Sequence, residues 1–435
     1  MSVLYGIAAA TAALLLAAVL AALLRVPALR VGLVDRRQRQ RRVPLSGGAA
    51  VVLATCLVAG TGDWTGIAPL GDGMGVLLAT AAGVAGLGLL ADVWRLKTRL
   101  PAFGTALAAA FVVPYGDTGP LVGAVAVGWI VLVALGFRAL DHADGVAGTV
   151  GVVTAFGVAA CAAAEVMDGL AVLLSVLAAA LTGFLMHNWP PARVALGGCG
   201  SLFAGFLLAA AAVIACAGQD AAAGTGVLFA LTAVAALDVV LVLVGRRLAG
   251  RPLLRGGPDH LAHRLRRLGL TPQGAVVLVG VGAFAGVLVG TLVHAGWTDA
   301  RAALWVAGGA LVLLLGLLRV PTYGPRRHGD ELRRQGDGAR RHGDGLRRRG
   351  DGPRRSGGEA ARRLDGGSRR SDAEVRRSGD EPRRSGDEPR RSGDASRRQG
   401  VSSVRPPRRS VESPSRAPRR LALSQVSAGL RVRNG

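Results

Sequence analysis

The sequence predicts an all-α polytopic membrane protein of about eleven transmembrane helices with a disordered C-terminal tail. Three observations carry this expectation. Of 435 residues, 51% are hydrophobic and 18% charged, and up to about Arg319 the apolar residues fall in runs near the ~20 that cross a bilayer. Basic residues are segregated to every second loop between those runs. From about Gly324 onward the chain changes to Arg, Gly, Asp, Ser and Pro, with almost nothing to bury.

The spans are expected near 3–25, 47–61, 74–91, 101–115, 120–137, 146–164, 169–187, 201–217, 224–245, 274–294 and 301–320. The first has no basic residue ahead of it, and Arg25, Arg30, Arg36, Arg37, Arg39, Arg41 and Arg42 behind it. A secretory signal has the reverse charge order, so it reads as a retained span. Loops 26–46, 92–100, 138–145, 188–200 and 246–273, and the tail from 321, carry Arg or Lys; loops 62–73, 116–119, 165–168, 218–223 and 295–300 carry none and each hold Asp or Glu. By the positive-inside rule the N-terminus lies outside, and the basic loops and the tail lie in the cytoplasm. Cys56, Cys161, Cys199 and Cys216 show no CxxC spacing, which speaks against a disulfide framework or a zinc finger.

The chemistry-bearing segments lie on the basic side. The central one is Asp141-His142-Ala143-Asp144-Gly145-Val146-Ala147-Gly148. Carboxylates at the mouth of a membrane bundle are costly unless they face water, a partner or a metal, so the stretch reads either as a solvated acidic turn or as a site. Asp92 closes the third span. Gly197, Gly198 and Gly200 precede a helix start, which reads equally as an anion-presenting turn or as a flexible turn with Ser201 as N-cap. His260 and His263 would share one helix face and could form a metal pair, without HExxH spacing to support it. Asp238 falls inside the ninth span and is a functional candidate by its position alone.

Taken in order, these segments resemble the polyprenyl-phosphate N-acetylhexosamine-1-phosphate transferases of glycosyltransferase family 4, the membrane enzymes represented by MraY, WecA and TagO. Asp35, Arg39 and Pro44 to Gly48 fit that family's first loop, Ala91-Asp92 its Asp-Asp pair, and 141–148 its Asn-x-x-Asp-Gly-x-Asp-Gly motif. Asn188, Pro191 and Ala192, then Gly197 to Ser201, fit Asn-x-x-Pro-Ala and Gly-Asp-x-Gly-Ser. Asp238 with Arg246 and Arg247 fits its ninth span, and Asp259 to Leu265 its histidine loop, without the usual spacer. The resemblance covers roughly residues 1–320. It implies transfer of a sugar-1-phosphate from a UDP-sugar to a polyprenyl phosphate, with release of UMP and with Mg²⁺. It further implies catalytic roles for Asp92, Asp144, His260 and His263, substrate-binding roles for Asn188, Arg264 and Asp141, and metal ligation by Asp92 and Asp144.

Five positions depart from the pattern. Ala91, Ala147 and Gly198 stand where the family carries Asp, Gly198 being its principal Mg²⁺ position, Ala262 stands for a histidine, and Asp141 stands where the family has Asn. Two readings follow: a transferase with a rearranged site, in which Asp141 supplies a replacement carboxylate, or a silent relative that still binds polyprenyl phosphate or a partner enzyme. A transporter would leave the order of the motifs unexplained.

Residues 321–435 repeat a pattern near Arg-Arg-x-Gly-Asp, as at 326–330, 333–337, 340–344 and 376–380, at a period of about seven without the apolar positions of a coiled coil. The expected partner of this tail is the anionic inner leaflet. Specific nucleic-acid binding is not expected, since no aromatic residue follows Tyr323. A homodimer is among the assemblies this architecture allows.

Overall fold

The computed structural model describes residues 3–35, 42–252 and 259–320. They fall in one compact unit, and among them there is no strand beyond one isolated antiparallel bridge between Val34 and Pro44. The helices are α1 (Val3–Leu23), α2 (Arg25–Val31), α3 (Gly47–Trp64), α4 (Met74–Trp94), α5 (Arg99–Val112), α6 (Tyr115–Leu140), α7 (Val146–Ala164), α8 (Asp168–Asn188), α9 (Gly197–Ala215), α10 (Ala221–Leu248), α11 (Leu261–Arg267), α12 (Pro272–His294) and α13 (Ala302–Leu318).

Each of the eleven expected spans has its helix. Among the described residues nine helices are long and apolar enough to cross a membrane, while α5 and α13 are shorter apolar helices. The chain is therefore a multi-pass membrane protein. The two further helices, α2 and α11, are seven residues each and lie in basic loops. The Arg/Gly/Asp repeats, the basic residues Arg36, Arg37, Arg39 and Arg41, and the expected disordered tail lie outside the described residues.

Local signals set the ends. Asp220 caps α10 by accepting from the amides of Ala222 and Ala223, at 3.1 and 3.2 Å. Thr271 caps α12 by accepting from Gly274 N at 3.0 Å, with Pro272 in the first turn. Gly119, at φ +75°, interrupts α6 just before Pro120, so its membrane-length part starts where the sequence places it.

The bundle is built round α9. Every residue of this helix except Ile214 is buried, as expected of a helix apolar on all sides. It packs against α3, α4, α6 and α7, while α8 packs between α1 and α7 and α10 packs against α6, α12 and α13. Without a hydrophobic driving force in lipid, close approach through small residues holds such helices together. A Cβ on Gly48 of α3 would run into the backbone of Leu196 and Gly200, and one on Gly205 would lie 2.8 Å from Ala134 Cα on α6. The peripheral helices carry exposed Phe103, Leu107, Phe111, Leu304 and Val312 outward, as a lipid-facing surface requires.

The crossing of α3 and α9 yields a direct expectation. Gly48→Val should cost at least about 2 kcal/mol by overpacking and reduce the monodisperse fraction in detergent chromatography. Gly308→Ala, at a position with nothing within 4 Å, should leave that fraction unchanged.

Candidate active site at one end of the bundle

The first amides of a helix have no partner within it, and those of α9 emerge in a buried setting. Two carboxylates from other helices accept from them. Asp141, at the C-cap of α6, takes Gly197 N at 2.8 Å, and Asp92, in the last turn of α4, takes Gly198 N at 2.5 Å. Negative charge is favoured at a helix N-terminus. Gly197, at φ +68°, makes the turn into the helix. The helix thus starts four residues before the expected span, with Leu196 as N-cap. Ser201 lies inside the first turns and donates to Gly197 O at 2.6 Å. Of the two readings of the glycine turn, Ser201 as N-cap is corrected, while the turn does present amides to anions, which are the chain's own carboxylates Asp92 and Asp141.

Further bonds gather the neighbouring loops. Asp144 accepts from Ala192 N at 3.0 Å. Asn188, itself buried, accepts from Gly145 N and donates to Val194 O, both at 2.8 Å. Ala195 N reaches Pro44 O at 2.9 Å, and Gly47 N reaches Ala195 O at 3.0 Å. Asp92, Asp141, Asp144 and Asn188, with the first-loop segment Pro44–Gly48, thereby come together.

His142 carries the network to the last loop. Its ring stacks on His260 with centroids 3.9 Å apart, and His263 lies at 4.7 Å. His260 Nδ1 meets Asp238 Oδ2 at 2.9 Å, and Leu261 N donates to Asp238 Oδ1 at 2.7 Å. Arg246 grips Asp259 through two bonds, at 2.5 and 3.0 Å. Arg264 is buried and donates to the carbonyls of Asp259 and Leu317, at 3.0 and 2.5 Å, so it ties α11 to α13. Burial, followed by the neighbouring His260, holds both His142 and His263 below the ordinary imidazole value near 6.5.

Arg138 and His142 were not singled out by the spacing of the motifs. Arg138 donates to Asp92 Oδ1 at 3.2 Å, and its Nη1 is buried with no hydrogen-bond partner. That nitrogen fills the space over Gly198. A Cβ on Gly198 would collide with Nη1 and lie 2.8 Å from Asp92 Oδ1 and 2.9 Å from Gly88 O. The partner is 46 residues away in sequence, so only a bare Arg beside an acidic motif could have signalled it.

The same geometry tests the expected Mg²⁺. This ion requires near-octahedral oxygen ligands. At Gly198 there is no carboxylate and no room for one, a guanidinium stands in its place, and both oxygens of Asp92 are already engaged. Ala91, Ala147 and Ala262 are buried as well. The residues present at Gly198 do not fit Mg²⁺, and no step is drawn through it.

Two outcomes are expected. Gly198→Ala should be poorly folded, and combining it with Arg138→Ala should recover part of the loss, a non-additivity of at least about 0.5 kcal/mol in a double-mutant cycle of thermal unfolding. The depressed histidines are neutral when folded, so their contribution to stability should be complete above about pH 6.5 and decline as pH falls below that value toward their folded pKa. His142→Phe should flatten that slope.

Comparison with known proteins places the chain among glycosyltransferases. The pattern described as glycosyl transferase family 4 matches residues 74–216, from α4 to the end of α9. A Streptomyces coelicolor protein assigned as a glycosyltransferase, without a named substrate, is 67% identical over 331 residues, covering 75% of this chain and 80% of the relative. The decaprenyl-phosphate N-acetylglucosaminephosphotransferase of Mycobacterium leprae is 30% identical over 53% of this chain and 66% of its own length. An undecaprenyl-phosphate N-acetylglucosaminyl 1-phosphate transferase of Bacillus subtilis is 24% identical over 58% and 75%. With its matched segment forming the heart of the bundle and a relative this similar over four-fifths of its length, the chain belongs to glycosyl transferase family 4.

Proposed function

We propose that the protein transfers a sugar-1-phosphate from a UDP-sugar to a polyprenyl phosphate and releases UMP. What supports this reading is the gathering of the motif loops, in family order, at one end of a membrane bundle, where a lipid phosphate and a soluble nucleotide could both arrive. Names carried by relatives point the same way, those of Mycobacterium leprae and Bacillus subtilis being polyprenyl-phosphate sugar-phosphate transferases. They favour an active transferase over a silent relative.

In this proposal an oxygen of the lipid phosphate attacks the sugar-bearing phosphorus of the UDP-sugar. The bond from that phosphorus to the UMP oxygen breaks, and UMP leaves. Asp144, partly exposed and oriented by Ala192 N, takes a proton from the lipid phosphate where it is still protonated. His260 and His263, partly exposed and packed on His142, bind the diphosphate. Asp141 and Asp92 set the α9 end, Asp92 also fixing Arg138, while Asn188 and Arg264 position the two loops. Mg²⁺ as a second component rests on the resemblance alone. The basic loops and this end of the bundle face the cytoplasm of a cell membrane, with the N-terminus outside. Residues 321–435 form a separate cytoplasmic segment that adsorbs weakly on anionic lipid, each basic residue near the surface being worth about 1 kcal/mol. A homodimer remains part of the proposal.

Asp144→Asn should lower UMP release from a panel of UDP-sugars in membranes by about 100-fold or more, with unchanged folded protein. Full activity in this variant would remove the loop from the site. Silence of the unaltered protein across the panel, with labelled lipid phosphate still bound, would favour the silent reading. Truncation after Pro325 should leave insertion and turnover intact.

A further inference from the structure

The loop between α6 and α7 meets the start of α11 at three imidazoles and one carboxylate. The hydrogen-bond partners of two of them bear on the tautomer of each ring. His142 Nδ1 faces the carbonyl of Ala139. A carbonyl only accepts, so Nδ1 carries the proton and Nε2 keeps its lone pair. That Nε2 is buried and has no hydrogen-bond partner. His260 Nδ1 stands 2.9 Å from Asp238 Oδ2, an arrangement that again puts the proton on Nδ1 and leaves Nε2 as the donor atom. His263 is the third ring, 4.7 Å from His142.

An imidazole whose Nδ1–H is held by a carbonyl or carboxylate keeps Nε2 as the ligating atom, which is how metal-binding histidines are held. One donor atom each from His142, Asp238 and His260 lies within 4.8 Å of the other two. Asp238 is fully buried and supplies compensating negative charge. We propose that His142 and His260, with Asp238 and His263 beside them, form a site for a borderline transition-metal ion of the Zn²⁺ class. Imidazole nitrogen suits such ions, whereas Mg²⁺ takes oxygen. The site is distinct from the Gly198 position, where the Arg138 guanidinium already stands. It ties α11 to the loop bearing Asp141 and Asp144, and a dication there would stand next to any anion that those loops receive. The inference concerns metal binding and does not depend on the transferase reading.

The test uses tag-free full-length protein in detergent, stripped with chelator and titrated with Co²⁺ and then Zn²⁺. One equivalent of Co²⁺ per chain should bind with the absorption of a four- or five-coordinate nitrogen/oxygen site, Zn²⁺ should displace it, and Mg²⁺ at the same concentration should not. His142→Phe keeps a flat ring and removes both nitrogens; it should weaken binding at least about tenfold and abolish the Zn²⁺-induced rise in melting temperature. Should that variant fail to fold, Asp238→Asn should weaken Co²⁺ binding by a similar factor, through loss of the carboxylate on His260. Absence of Co²⁺ binding to the unaltered protein, equal affinity in the folded variants, or equal competition by Mg²⁺ would overturn the proposal.

Discussion

A helix that enters a water-poor bundle must bring its own partners for its first amides, and α9 brings none. Leu196 offers no side-chain cap, and the turn that follows is glycine. Asp141 from α6 and Asp92 from α4 fill the gap. Each sits near the C-terminal end of its own helix, where a carboxylate is disfavoured by the dipole, and each is relieved by the opposite pole of α9. Three helices are thereby fixed at one point, and the loops that leave them inherit their geometry. Because α9 is surrounded on every side, an error in its seating would propagate to α3, α4, α6 and α7 together.

The same point fixes the electrostatics of the site. Where the family pattern has acids, this chain has buried alanines and a glycine. Buried carboxylates without a cation are expensive, and removing them together with their ion is one way to keep the interior neutral. The acids that remain accept backbone amides, and Asp92 also pairs with Arg138. Positive charge over α9 is therefore built into the chain as a guanidinium. The central loop takes part in both regions, through Asp141 at the start of α9 and through His142 at the imidazole group.

Much of the architecture was legible in the sequence. Apolar runs bounded by Gly, Pro and charged residues marked the eleven helices, and the loops that share a sign of charge include those that meet at Asp141, Asn188 and His260. What escaped has a common cause. A pattern along the chain reports periodicity and residue type, whereas Arg138 with Asp92, or His142 on His260, are pairings across tens of residues that depend on which helix faces which. The start of α9 was missed because three glycines within four residues read as a turn; only carboxylates from other helices make them a helix. The seven-residue α2 and α11 are too short for any period to register. Asn188 and Arg264 were noticed through the resemblance, yet their bonds are to backbone groups that no motif specifies.

The close fit between Arg138 and Gly198 bears on how such a site could change over time. One small volume above α9 accepts either a carboxylate rooted at residue 198 or a guanidinium reaching over from residue 138, because a Cβ on Gly198 meets Nη1 directly. The two are alternative tenants. A carboxylate introduced at residue 198 would have to displace the guanidinium, so the two opposite charges compete for one place beside Asp92.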